Sequence, residues 1–386
     1  MQRRDFLKLL AVAPLTAWSG GAAYAAAVRG DYRRLLVLIE LKGGNDGLNT
    51  VIPYADANYY RLRPRLGIAR DQVLQLDETT GLHPSLKALL PLWQGRELAI
   101  VQGVGYPQPS LSHFRSIEIW DTAADSDAYL DEGWLSRLFE HNPPPRHFAA
   151  DGVVVGSPDL GPLAGGRTRV VALTNTEQFL RQAQRMEAPT GTSRNPALAH
   201  LLKVEGDIRQ AASGLKSEYR FRAEFPKSLF GNSLKTAAQV VAANSQVAVI
   251  KVTHNGFDTH GNQRNAHARL LTELAEGLAA FKAALQEINR WDSTLLMSYA
   301  EFGRRPQENG SNGTDHGTAA PHFVLGGRVK GGLYGERPSL TDLDGGNLRY
   351  NVDFRSLYAT AVEKWWGLPT AGLFGSRYRP LDVVKV

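Results

Sequence analysis

The sequence contains no cysteine among its 386 residues. This absence excludes disulfide bonds, thiolate metal sites, and haem or iron–sulfur clusters held by cysteine. A metal site in this chain must therefore be built from His, Asp and Glu, which are the other common protein ligands.

Long apolar runs and a strong charge bias are also missing. No run beyond the N-terminal segment reaches the about 20 apolar residues that a membrane-spanning helix needs. The formal net charge is +6, without a run rich in Lys and Arg, so nucleic acid is not an expected partner. The dinucleotide fingerprint Gly-x-Gly-x-x-Gly is absent as well, which weakens an oxidoreductase interpretation.

The first 27 residues have the pattern of a cleavable twin-arginine secretion signal. Arg3 and Arg4 precede Phe-Leu-Lys, a short apolar run broken by Pro14, and a series of small residues up to Ala27. This pattern predicts export by the twin-arginine translocase to the periplasm or the medium, with no stable membrane span after cleavage. An uncleaved N-terminal anchor is the alternative.

Apolar runs alternate with helical patterns along the rest of the chain. The runs cover residues 34–41, 98–104, 246–252, 294–299 and 323–325, and the helical patterns cover 84–93, 264–290 and 354–366. Apolar strands that alternate with helices predict an α/β fold, with a mostly parallel sheet and helices on both faces. Four tryptophans are expected in its core (Trp120, Trp134, Trp365 and Trp366), whereas His267 in the long helix is expected to be solvated.

The segment 141–232 has a different composition. It begins with three consecutive prolines, is rich in Arg, Gln, Ser and Thr, and contains one short apolar run at 152–155. We expect it to form an insertion or cap on a domain that spans 28–386.

Acidic and imidazole side chains follow several of the predicted strands. They are Asp46, Asp258, His260, Asp315, His316 and His322. In sheets of this kind ligands bind beyond the carboxyl ends of the strands, so this set predicts a divalent metal site there. Taken singly, each residue also has an ordinary interpretation as a helix cap, a turn residue or a structural histidine.

A possible nucleophile follows the run 98–104. Ser112, or Ser110, would lie at the N-terminus of a helix that starts near Phe114, where exposed N–H groups can hold an anion. The alternative for Ser112 is an ordinary N-cap. His113 could be a proton donor, a ligand or a packing residue, and Arg304 and Lys42 could clamp a substrate anion.

The combination of Gly-Gly-Asn-Asp-Gly, Ser-His-Phe, Phe-Asp-Thr-His-Gly-Asn-Gln, Glu-Phe-Gly-Arg and Asp-His-Gly resembles an exported family called domain of unknown function 1501. That family is grouped with the alkaline phosphatase and sulfatase superfamily, so the resemblance implies an alkaline-phosphatase-like fold. It also implies metal ligands at Asp46, Asp258, His260, Asp315, His316 and His322, with the nucleophile at Ser112. Zinc is the implied metal, with manganese and calcium as alternatives.

Two departures from the superfamily pattern bear on activity. Asp258 and His260 are separated by one residue where phosphatases usually have three, and His322 follows His316 closely. The formylglycine signature Cys-x-Pro-x-Arg is impossible without cysteine, which disfavours that class of sulfatase.

We therefore expect an exported, metal-dependent hydrolase of phosphate or sulfate esters. Its catalytic residues would be Ser112, His113 and Arg304, and its substrate a small anionic ester or a sulfated or phosphorylated glycan. The first alternative is a non-catalytic binding protein of the cell envelope that keeps the hydrolase fold. A metal-dependent oxidoreductase is a weaker one.

Overall fold

The computed structural model describes residues 30–173, 219–243, 246–374 and 377–385. The predicted secretion signal, residues 1–27, lies outside the described residues, and so does the part of the predicted cap from 174 to 218.

The main sheet of the described part of the chain contains nine strands. In chain order the strands of the whole structure are β1 (Leu35–Lys42), β2 (Val51–Ile52), β3 (Leu74–Gln75), β4 (Gly81–Leu82), β5 (Leu98–Gly105), β6 (Gly152–Val155), β7 (Val170–Leu173), β8 (Val249–Asn255), β9 (Thr294–Tyr299), β10 (Ala320–Leu325), β11 (Gly332–Tyr334), β12 (Leu343–Asp344), β13 (Asn347–Leu348) and β14 (Val352–Asp353). The main sheet has the order β11-β5-β10-β9-β1-β8-β6-β7, and β14 also pairs with β5. All its pairings are parallel except those of β10.

The helices cover both faces of this sheet. They are α1 (Gly47–Thr50), α2 (Ala57–Leu62), α3 (Leu90–Gln94), α4 (His113–Thr122), α5 (Trp134–His141), α6 (Leu229–Ala242), α7 (Gln263–Glu287), α8 (Phe354–Ala359), which continues as a π-helical turn (Thr360–Trp365), and α9 (Ala371–Phe374). Short 3-10 turns occupy Pro84–Leu89, Gly161–Leu163 and Trp291–Ser293. Within the described residues, no helix is both long and apolar enough to span a bilayer.

The central strand β1 shows why the sheet is covered on both sides. Its residues Leu35, Val37 and Ile39 pack into one buried cluster with α6 and α7, whereas Leu36 and Leu38 pack into a second with α4, α5 and α8. Alternate side chains of a strand point to opposite faces, so an uninterrupted apolar run requires two layers of helices. The predicted fold class, a mostly parallel sheet with helices on both faces, is confirmed.

The core also tests two expectations for single residues. Trp120, Trp134, Trp365 and Trp366 are all buried, as expected. The prediction that His267 is solvated is wrong, because α7 turns this side chain inward, where Nε2 donates to Asn45 Oδ1 at 2.9 Å.

Two strands in the described part of the predicted cap belong to the main sheet. Residues 152–155 form β6 and residues 170–173 form β7, which extend the main sheet beyond β8. The remainder of the segment 141–232 includes 174–218, outside the described residues, and the cap itself stays a prediction.

Four strand ends converge at one edge of the sheet. β1, β5, β8 and β9 run in the same direction, so the residues that follow their carboxyl ends meet there. Because β10 runs antiparallel to β9 and β5, the residues that precede it arrive at this edge too. This topology brings the segments that follow Lys42, Gly105, Asn255 and Tyr299 together with Asp315 and His316.

Candidate metal centre

His113 presents one ring nitrogen to a buried carboxylate and the other to the centre. It is the first residue of α4, and its Nδ1 lies 2.8 Å from Oε1 of the buried Glu301. A carboxylate only accepts, so Nδ1 carries a proton, and in the neutral imidazole Nε2 has a free lone pair. His113 Nε2 is a buried atom without a hydrogen-bond partner among the described residues, and it lies 3.4 Å from Asp258 Oδ2.

Asp258 is the carboxylate around which the imidazoles gather. Its Oδ1 lies 3.0 Å from His260 Nε2 and 3.3 Å from His316 Nε2. The two Nε2 atoms of His260 and His316 are 2.9 Å apart. His113, Asp258 and His316 each offer one ligand atom, and these atoms lie within 4.8 Å of one another.

The outer nitrogens of the other two imidazoles are also occupied. His316 Nδ1 donates to the backbone carbonyl of Leu111 at 2.8 Å, and His260 Nδ1 lies 3.4 Å from Asp315 Oδ1. Metal-binding histidines commonly donate the second ring N–H to a carboxylate or a carbonyl in this way. All three rings thus turn Nε2 toward the Asp258 carboxylate.

This donor set fits a divalent metal. If both outer nitrogens carry protons, the lone pairs of His260 and His316 face each other at 2.9 Å, and a cation between them relieves this repulsion. Burial lowers the pKa of His316, which favours its neutral, ligand-competent form. Three imidazoles and one carboxylate make a ligand set that suits zinc.

Arg304 fixes Asp258 and the Gly43–Gly44 turn. Its side chain is fully buried and donates to the carbonyls of Gly44 (2.8 Å), Thr314 (2.8 Å), Phe257 (3.2 Å) and Gly43, as well as to Asp258 Oδ1 at 2.5 Å. Burial raises the pKa of Asp258, but the hydrogen bond and the charge of Arg304 outweigh it and hold that pKa below its usual value. The predicted clamp on a substrate anion does not fit a buried guanidinium, so this geometry gives Arg304 a positioning role.

The turn after β1 requires glycine at two positions. Gly43 has φ +114° and Gly44 has φ +80°, which L side chains rarely adopt. A Cβ on Gly43 would lie 2.3 Å from the backbone nitrogen of Asp258. The N–H groups of both glycines donate to Glu301 at 2.9–3.2 Å. The turn is therefore bonded to Glu301 on one side and to Arg304 on the other.

Asp46 has partners of its own. It is the N-cap of α1, and Arg63 binds both of its carboxylate oxygens, at 2.6 and 3.0 Å, while Gln263 also donates to it. Burial raises the pKa of Asp46, but the charge and hydrogen bonds of Arg63 lower it by more than that, so the pKa falls to about 2. In this structure the charge of Asp46 is balanced by a guanidinium, and its role as a metal ligand stays a prediction.

His322 and Asp315 also lie outside the group formed by His113, Asp258 and His316. His322 is buried in β10, where its Nδ1 is 3.4 Å from Ser298 Oγ and its ring centroid is 5.2 Å from that of Trp120. Burial lowers its pKa to about 3. Asp315 is exposed and lies behind His260, where Asn309 Nδ2 donates to its Oδ1 at 3.0 Å. The ligand roles predicted for both residues remain predictions.

Ser112 lies at the rim of the centre. It is the exposed N-cap of α4, between Leu111 and His113, and its side chain makes no capping hydrogen bond. Its neighbours contact the candidate centre, since the Leu111 carbonyl accepts from His316 and His113 pairs with Glu301. The role of Ser112 as the nucleophile stays a prediction.

Two residues at the site have clear structural roles that the sequence did not predict. Glu301 follows β9 at the site edge, but only its pairing with His113 makes its function recognisable. Arg63 and Asp46 do not belong to a common sequence motif, so the sequence does not indicate their ion pair.

A family model described as "Protein of unknown function (DUF1501)" matches residues 33–366. No curated protein matches the chain. Similar solved structures include the C-terminal periplasmic domain of EcEptC from Escherichia coli in complex with Zn, with 12% identity, 91% of this chain and 88% of that chain covered, and a TM-score of 0.42. PsFucS1 sulfatase from Pseudoalteromonas sp. has 11% identity, with 93% of this chain and 72% of that chain covered, and a TM-score of 0.42. Alkaline phosphatase from the Antarctic bacterium TAB5 has 11% identity, with 76% of this chain and 91% of that chain covered, and a TM-score of 0.34.

Proposed function

The chain belongs to the family described as protein of unknown function DUF1501, and on the geometry of its candidate centre we propose that it is an exported, metal-dependent hydrolase of phosphate or sulfate esters. One observation carries the proposal. Three imidazoles with occupied outer nitrogens turn Nε2 toward Asp258, which is how a protein prepares neutral histidines for a metal.

Zinc is the proposed metal. His113, His260, His316 and Asp258 would hold it, since imidazole nitrogen suits zinc better than it suits calcium or magnesium. Manganese and calcium remain the alternatives to be tried in reconstitution. A bound divalent metal supplies charge stabilisation at the nonbridging oxygens of an ester and lowers the pKa of a nearby hydroxyl.

The chain's own residues would orient and attack the ester. Ser112 attacks the phosphorus or sulfur atom in line, its oxygen forms the new bond, and the bond to the alcohol oxygen breaks. The alcohol leaves with a proton, and water then releases phosphate or sulfate from Ser112. The N–H groups in the first turn of α4 favour an anion at this position, while Glu301 and Arg304 keep His113 and Asp258 in place.

The site of action follows from the sequence. The twin-arginine pattern at Arg3 and Arg4 supports export to the periplasm or the medium, where anionic esters of glycans are accessible substrates. A small anionic ester, or a sulfated or phosphorylated glycan, is therefore the proposed substrate.

A non-catalytic binding protein is the second candidate, and one observation favours it. Arg63 neutralises Asp46, so the carboxylate after the first strand is occupied by a protein cation. A centre that binds metal and anions without turning over esters would have this arrangement.

Metal content and hydrolysis together test the proposal. We expect the protein, purified without chelators, to contain about one equivalent of metal or to take it up from zinc, and to hydrolyse p-nitrophenyl phosphate or sulfate. Asp258→Asn should lose most of the metal, because the carboxylate charge is removed. Ser112→Ala should keep the metal and lose at least about 100-fold in kcat, because the nucleophile is missing.

The control is Asp71→Asn on an exposed carboxylate, which should match the wild type in both measurements. A wild type that stays metal-free after reconstitution with zinc, manganese and calcium would overturn the metal mechanism. Metal uptake with no hydrolysis of either ester, in wild type and variants alike, would favour the binding protein.

A further inference from the structure

The charged groups at the candidate centre offer no evident cation for a second anionic group on the substrate. Three carboxylates (Asp258, Asp315 and Glu301) surround the imidazoles. Arg304 and a divalent metal together balance these charges. A second anion on the substrate needs another cation, and Arg304 is buried and already bonded.

Arg305 is next in the chain and has a different environment. Its backbone N–H donates to the carbonyl of Asp315 at 3.0 Å, directly beside the bridge that pairs Arg304 with His316. Its own carbonyl accepts from Arg63 Nη2 at 2.9 Å. The backbone of Arg305 is thus fixed from two sides, so its side chain starts from a defined position next to the centre.

The guanidinium of Arg305 is partly buried and has free donors. In the described part of the chain it forms no hydrogen bond and no ion pair, unlike the buried guanidinium groups of Arg63, Arg304 and Arg355.

The space in front of Arg305 is bordered by a turn without side chains. Gly345 and Gly346 link β12 to β13, and a Cβ on Gly346 would lie 3.7 Å from Arg305 Nη1, whereas one on Gly345 would meet nothing within 4 Å. Neither of these two glycines therefore carries a side chain that would cover the guanidinium on this side.

We propose that Arg305 binds a second anionic group of the substrate, so that the preferred substrates are esters with at least two anionic groups. This inference rests on the proposed function and adds a substrate class to it. A guanidinium with free donors in a half-buried position binds phosphate or sulfate bidentately and is only partly screened by water. Because Arg305 is tied through its backbone to Asp315, which is not among the residues proposed to hold the metal, the second anion would occupy a flanking position and would not be the group that is cleaved.

The test compares two ligands that differ by one anionic group. Binding of glucose 1-phosphate and glucose 1,6-bisphosphate to the zinc-loaded full-length protein is measured by calorimetry. We expect the wild type to bind the bisphosphate at least tenfold more tightly. In Arg305→Ala this preference should fall below threefold, and Arg305→Lys should give an intermediate value because it keeps the charge but loses the bidentate geometry.

Arg379→Ala removes an exposed arginine and should keep the wild-type preference. Zinc content is measured on every variant, so that a lost centre is recognised. An equal preference in Arg305→Ala and wild type, or no preference in wild type, would overturn the inference and leave the hydrolase proposal standing. If zinc-loaded wild type binds neither ligand, the inference and the anionic-ester function fall together.

Discussion

Glu301 lies beneath the candidate centre and holds three groups at once. One carboxylate oxygen faces His113 Nδ1, and both accept N–H groups from Gly43 and Gly44. A ligand held by a buried carboxylate keeps one tautomer and one ring orientation, which makes its other nitrogen a better donor to a metal. The order of this centre therefore depends on a residue that would not touch the metal.

Replacement of Glu301 by glutamine should weaken metal binding without removing a ligand. We expect the dissociation constant for zinc to rise about 10–100-fold, since the amide cannot stabilise the His113 N–H as the carboxylate does. Chelator competition measures the affinity, with Glu78→Gln on an exposed side chain as the control. An unchanged affinity in Glu301→Gln would show that His113 is not oriented through this contact.

The sequence could predict some of the acidic and imidazole residues that meet, but not that Asp46 and His322 have other partners. Asp258, His260, Asp315 and His316 come together because they follow or precede strands that share one edge. The partner of each side chain depends on contacts between distant segments. Arg63 with Asp46 and Glu301 with His113 are such pairs, and local spacing carries no signal for either.

The turn between β1 and α1 is the element that joins the sheet to the centre. Its glycines have positive φ values, its N–H groups face Glu301, and its carbonyls face Arg304. The apolar run before it made β1 predictable from sequence, as did the similar runs of β5, β8 and β9. The antiparallel direction of β10 was not predictable, since a run of apolar residues carries no information about strand direction.

Alanine at Gly43 should disturb both this turn and the neighbouring segment. A Cβ there would lie 2.3 Å from the Asp258 backbone nitrogen at a φ of +114°, so we expect a loss of more than about 1 kcal/mol in unfolding free energy. Zinc affinity should fall as well, because Asp258 must move. Urea unfolding and chelator competition test this.

Gly310→Ala is the matched control for that variant, because a Cβ at Gly310 meets nothing within 4 Å. It should unfold like the wild type. Equal stability and zinc affinity in Gly43→Ala would mean that the turn can relax without displacing Asp258.

The whole molecule contains several histidines that are buried in the neutral form. Burial lowers the pKa of His322 to about 3 and the pKa values of His83 and His267 to about 4. Their unfolded values lie near 6.5, so between these limits the unfolded chain binds more protons than the native one. Stability from these groups is complete above about pH 6.5 and decreases as the pH falls toward 4.

Metal-free protein should therefore lose unfolding free energy on acidification from pH 7 to pH 4.5, by up to about 1.4 kcal/mol per pH unit for each such histidine. His267→Asn should reduce the slope of unfolding free energy against pH by the contribution of one histidine. His147→Asn, on an exposed side chain, should leave this slope unchanged. Urea unfolding across this pH range measures the slopes. Parallel curves for wild type and His267→Asn would contradict the assignment of a buried neutral His267.

The wide separation of the imidazoles along the chain has a consequence for biosynthesis. His113 starts α4, His260 follows β8, and His316 precedes β10, so the three come together only when the sheet has closed. A nascent chain could not load the proposed metal here while it is still being synthesised. Uptake of the proposed metal would be a late event, and the compartment in which the sheet assembles would determine which ions compete for it.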